Sequence, residues 1–185
     1  LYDTTNFQQF RQLVAYFEKQ LGKSRDEILD DVSAGGLVIA ARLTPPKGAM
    51  LVLQSKGEAK LRQFVDLTLD ILTKELERQE SKDKIVRKKY ERFDVGQIGP
   101  KLSFALADGA LLVASESDVL KKVLDLQLEK SSDKTIQQVE SFAAARKQAP
   151  PKALAWTWLN VDELRRNEDF NNGLQAASLD PLQTL

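Results

Sequence analysis

The pair Asp108-Gly109 constrains this chain more than any other feature. Before it, Leu102, Phe104 and Leu106 alternate with Ser103, Ala105 and Ala107; after it, Ala110 to Ser115 form an apolar, β-rich run. The two-residue loop that matches the twist of antiparallel strands is type I′, which needs positive φ at both central residues. Asp tolerates that conformation and Gly adopts it freely. The sequence therefore predicts a tight hairpin, and with it a sheet whose strands are antiparallel.

The rest of the chain fits around that hairpin. Phe7, Phe10, Leu13, Val14, Phe17 and Leu21 recur at helical spacing and predict a first helix with one apolar stripe, capped by Asn6 and closed at Gly22. Ser24 to Glu27 reads as a capping box, opening a second helix that buries Ile28, Leu29 and Val32 and ends at Gly35-Gly36. Leu37 to Leu43 and Ala49 to Ser55 are short strands separated by a Pro45-Pro46-Lys47-Gly48 loop. A long helix follows, about 58–79, with Leu61, Phe64, Val65, Thr68, Leu69, Leu72 and Leu76 on its buried face and an Asp70–Lys74 pair on its flank. Ile85 to Val95 reads as one extended run. Ser117 is the expected cap of a helix carrying Leu120, Val123, Leu124 and Leu128. A further helix bears Val139, Phe142 and Arg146 and stops before Pro150-Pro151. Leu154, Trp156 and Trp158 alternate as a last strand, and Val161 to Arg166 begins a last helix. Hairpins outnumber crossovers, so the expected fold class is α+β: a mainly antiparallel sheet of five to six strands with helices packed on one face, its apolar positions inward and polar ones outward.

Composition narrows the chemistry. The 185 residues include no histidine and no cysteine. Zinc sites built on those residues are excluded, and so are disulfides and Ser-His or Cys-His relays. Apolar residues at 42% and charged residues at 29% describe a globular chain with enough core to need no metal staple. The 27 basic side chains balance the 27 acidic ones, which argues against a general polyanion binder such as a nucleic-acid protein. No apolar run reaches the roughly 20 residues of a membrane helix.

Several segments carry a resemblance. Leu106 to Ser115, followed by Ser117-Asp118-Val119-Leu120, resembles a bacterial family of unknown function in which a "DG-x-LL-x-x-S" hairpin feeds a helix. Phe142 to Arg146 is similar to its "F-x-x-A-R" helix, and Asn160-Val161-Asp162 to its strand-then-"VDL" element. Leu29 to Val32 before Gly35-Gly36 is similar to its entry to the first strand. The resemblance spans most of residues 20–165, and its motifs are turns, caps and core positions. It implies a large extracytoplasmic or envelope-associated bacterial protein, some members having two related α+β modules, with no activity or site residue to carry over. The lysine-rich run 85–95 departs from the family pattern. On this reading residues 1–150 form one module lacking its first strand. Residues 151–185 then complete it or begin a second.

Few residues suggest chemistry. Lys82, Lys84, Arg87, Lys88, Lys89 and Arg92 form a basic run with Tyr90 among them. Arg87, Lys88, Lys89 and Arg92 are the candidate site for an anionic polymer or lipid surface. The simpler reading is a solvated edge strand whose lysines discourage edge-to-edge association. Trp156 and Trp158 share a strand face, as a carbohydrate platform or, more simply, as core anchors. Ser81–Lys84 and Ser131–Lys134 match a Ser-x-x-Lys spacing without its partner motifs. The carboxylate pairs Asp66/Asp70 and Asp26/Asp30 read as solvated helix flanks. Asp3-Thr4-Thr5 lacks the glycine of an aspartic-protease loop, and Gly96 to Pro100 reads as a loop between strands. The sequence thus points to no catalytic, metal or cofactor site. It points to a structural or interaction module of a larger envelope protein, partnered by the rest of its parent chain or by another envelope protein.

Overall fold

The computed structural model describes residues 5–42, 47–132, 135–150, 153, 155–168 and 170–172. Asp3 and Thr4, the Asn6 side chain, Pro45 and Pro46, Lys134, Pro151, Leu154 and the tail from 173 lie outside the described residues. The chain divides into two compact units, 1–41 with 48–121 and 42–47 with 122–185.

The first unit is the α+β part. Helices α1 (Thr5–Leu21) and α2 (Arg25–Ser33) precede strands β1 (Gly36–Arg42) and β2 (Gly48–Gln54). Helix α3 (Glu58–Arg78) leads to β3 (Ile85–Tyr90), β4 (Phe93–Ile98), β5 (Leu102–Ala107) and β6 (Ala110–Ala114). The six strands make one antiparallel sheet in the order β1-β2-β6-β5-β4-β3. Helix α3 carries the chain from β2 to the far edge, and the meander β3 to β6 returns until β6 pairs with β2. Three antiparallel steps separate β6 from β3, and one separates it from β2. β3 therefore runs in the same direction as β2, which makes α3 the parallel-type crossover its length suggested.

Local sequence explains most of these elements. Asp108 (φ 47°) and Gly109 (φ 78°) form the loop between Ala107 and its partner Ala110. The Ser24 side chain accepts from the Glu27 amide while Glu27 accepts from the Ser24 amide, completing the capping box. Gly22 closes α1 with φ 62°. Lys74 donates to Asp70 at 2.6 Å on the flank of α3. The expected single run 85–95 is instead two strands. Tyr90 pairs with Phe93 across a two-residue turn, with Glu91 at φ 53°. No glycine marks that turn, so the sequence concealed it. Ser117 is the first residue of helix α4 (Ser117–Gln127) rather than its cap.

The core lies between α3 and the sheet. Val32, Leu61, Val65, Leu69, Phe104 and Leu106 form its buried cluster, with Leu53, Phe64, Ile85, Ile98, Leu111 and Val113 packed against it. Phe17 of α1 meets Phe64 at 5.2 Å between ring centres. The α1 stripe is only half used: Phe10 remains 58% exposed and Leu13 41%. The helix rests on one edge against α2 and α3, too narrow a contact to cover a full stripe. The opposite sheet face also departs from the expected polar pattern. Ser103, Ala105, Ala107, Ala110, Leu112 and Ala114 all lie on it and are buried, in keeping with near-continuous apolar runs in β5 and β6.

The second unit contains most of α4, a 3₁₀ turn (Ile136–Gln138), α5 (Glu140–Gln148) and α6 (Val161–Leu164). Residues 155–160 form no strand, contrary to expectation. Their alternation serves another purpose. Trp156 and Trp158 both meet the buried Phe142 ring edge-on, at 5.3 and 5.4 Å. A period of two is enough to aim both indoles at one anchor without a ladder. Trp156 nevertheless keeps 39% of its surface exposed.

Candidate functional site: the two edges of the sheet

A sheet of six strands in this order has β1 at one edge and β3 at the other. Edge strands offer unpaired backbone groups, and what covers or guards them is a functional question.

The β3 edge carries the basic run, and the fold answers most of its charge internally. Register places Arg87 opposite Gly96 and Lys89 opposite Asp94, on the face beneath α3. Arg87 pairs with Asp66 of α3 at 2.9 Å. Lys89 pairs with Asp94 at 2.5 Å, and Asp94 also holds Arg62 of α3 at 2.5 Å. Arg92, in the β3–β4 turn, reaches Asp108 at 2.9 Å and lies over the Phe93 ring at 4.9 Å. Of the four candidate anion-binding residues, only Lys88 has no partner among the described residues; Lys82 and Lys84 have none either. The run is thus a strand pinned to the underlying helix, with lysines left at its outer side.

The Lys89 hydrogen bond, then that of Arg62, holds the Asp94 carboxyl down at about 2. Because its folded value is depressed, its stabilising effect is complete above the unfolded value near 3.8 and disappears as pH falls through about 2. Asp94→Asn should therefore cost about 1–2 kcal/mol at neutral pH. The difference from the parent chain should shrink between about pH 4 and pH 2. Urea denaturation at pH 7, 4 and 2.5 measures this, and a difference independent of pH would refute it.

Three of the four helix-flank carboxylates sit in ion pairs. Asp66 faces Arg87, Asp70 faces Lys74 and Asp26 faces Arg25. Asp31 accepts from Lys23 and Lys60, which together lower its pKa, Lys23 foremost. Its backbone carbonyl accepts from the Ser55 hydroxyl. Ser81 donates no proton to Lys84; its hydroxyl accepts from the Asp83 amide at 3.2 Å. Gly96 to Ile98 belong to β4, so only Gly99 and Pro100 remain of the loop expected there. Among the described residues no group of three or more acidic side chains gathers to hold a metal, and no helix is long and apolar enough to cross a membrane. An open groove of about 440 Å³ runs between α1 and the start of α2, past Phe7, Phe10, Val14 and Arg25.

The β1 edge is the opposite of the β3 edge. All residues from Gly36 to Arg42 are exposed. Leu37 is 55% exposed, Val38 59% and Ile39 71%. No charged residue interrupts Leu37 to Ala41. Leu29, in the middle of α2, is 53% exposed, contrary to the burial expected of it. The sequence identified β1 as a strand but not as an open edge. A continuous apolar run normally marks a strand buried on both faces, and only the strand order shows that this one is not. In comparisons with known proteins, no family model matches the chain, and no curated protein or solved structure matches it either.

Proposed function

We propose that this chain is a non-enzymatic interaction module that works by accepting another polypeptide strand along β1. The observation that carries the reading is the exposure of Leu37, Val38 and Ile39 at an unguarded edge. Backbone groups on such an edge supply affinity, and alternate side chains supply selectivity. The internal pairing of Arg87, Lys89 and Arg92 speaks against an anionic polymer or lipid surface as the principal ligand. A place in a larger bacterial envelope protein, extracytoplasmic and partnered by its own parent chain or a neighbour, is the setting that the sequence resemblance suggests.

The test is a displayed library of peptides about ten residues long, the length of an added strand. The expected result is recovery of β-branched, alternating peptides whose binding is lost in Ile39→Lys and retained in Lys88→Glu. Peptides that bind both variants equally, or none at all, would defeat the reading. A parallel titration with duplex DNA and with phosphatidylglycerol vesicles in low salt should show no salt-sensitive binding; clear binding would favour the anionic ligand instead.

A further inference from the structure

We infer that the strand accepted along β1 is the β1 of a second copy, paired antiparallel in a register centred on Ile39. The inference rests on the reading of β1 as the working edge and names its occupant. Two sheets would then continue into one across a two-fold axis.

The sequence of β1 is suited to meeting itself. In that register Ile39 faces Ile39, Val38 faces Ala40 and Leu37 faces Ala41, so a large side chain meets a small one on either side of the axis. Directly opposed side chains are the unit of sheet stabilisation, and this arrangement fills the space without crowding. The apolar surface left open on Leu37, Val38 and Ile39 is what such a neighbour would cover.

A two-fold axis favours the antiparallel sense, because antiparallel partners exchange identical backbone hydrogen bonds across the axis and parallel ones do not.

The opposite edge favours closure. Adding β1 of one copy to β3 of the next would be a head-to-tail contact and would propagate into a fibre. Arg87, Lys88 and Lys89 stand in the middle of β3, where consecutive charges oppose such addition. Only the β1–β1 contact is both unguarded and self-limiting. A single pair of seven-residue strands is a small interface, so the dimer should be reversible and micromolar or weaker.

Sedimentation velocity of the whole chain over about 5–500 μM, the range for an interface this small, should show a concentration-dependent dimer. Ile39→Lys places two like charges across the axis and should leave a folded monomer by circular dichroism. Lys88→Glu should leave dimerisation unchanged. The absence of cysteine allows a sharper probe. Directly paired residues have Cα atoms about 4.5–5.5 Å apart, within disulfide reach. Ile39→Cys should therefore give a disulfide-linked dimer on mild oxidation. Leu37→Cys should not, because its symmetry mate would lie about 13 Å away, four residues along the strand. A monomer at every concentration with no link at 39, equal linking at 37 and 39, or a dimer untouched by Ile39→Lys would each overturn the inference. A monomer that still binds strand peptides through Ile39 overturns the second copy alone; one that binds none overturns the edge reading as well.

Discussion

Leu61→Ala should lower the stability of the α+β unit by about 3–4 kcal/mol. Leu61 has no exposed surface and sits near the start of α3. It belongs to the cluster of Val32 from α2, Val65 and Leu69 from α3, and Phe104 and Leu106 from β5. Removing its terminal carbons loses transfer free energy of about 0.8 kcal/mol per group, and the cavity left behind adds to the loss. Collapse is restricted because the cavity would be bounded by a helix, a second helix and a strand, each fixed by its own backbone bonds. Phe64, on the same helix but only partly buried, should be more tolerant. Equilibrium urea denaturation followed by far-ultraviolet circular dichroism measures the loss, with Leu61→Met as the control expected to cost less than about 1.5 kcal/mol. A loss below about 1 kcal/mol for alanine would mean that the site is not close-packed.

The core was largely legible in the sequence because helix period and burial agree there. Leu61, Val65 and Leu69 recur at four-residue steps, and nothing but the face toward the sheet can receive them. The hairpin was legible for a different reason: Asp108-Gly109 satisfies a backbone requirement that few residue pairs meet. Other features were hidden in physical terms. The turn at Glu91-Arg92 uses a positive φ at glutamate, which no propensity signals. The alternation of Trp156 and Trp158 has the period of a strand but is satisfied by one buried ring, Phe142. For the candidate surface, the residues of both edges were visible and their roles were not. Arg87 and Lys89 drew attention as free charge, yet their acids lie on α3 and β4, beyond local reading. Leu37 to Ala41 attracted none, because apolar runs read as buried and edge position is a property of strand order.

Gly96→Val should destabilise the same unit by about 3 kcal/mol, and Gly96→Ala by only somewhat less. The expectation has the opposite sign to ordinary strand behaviour, in which replacing glycine by a β-branched residue helps. Backbone strain is not the cause, since Gly96 does not occupy the positive-φ region. The cause is space. Gly96 is the register partner of Phe104, and the ring lies across it. A Cβ added at Gly96 would fall 2.1 Å from Phe104 Cζ and 2.3 Å from Cε1. The ring cannot yield freely, because Phe104 is buried in the cluster with Leu61 and Leu106. Glycine at 96 is therefore the condition for phenylalanine at 104. That dependence can be measured as a coupling. Phe104→Leu alone should destabilise by creating a void, while Gly96→Ala combined with Phe104→Leu should be less harmful than the sum of the two single changes, by about 1 kcal/mol or more. Strict additivity in this double-mutant cycle, or a neutral Gly96→Ala, would show that the ring does not depend on the missing side chain beneath it.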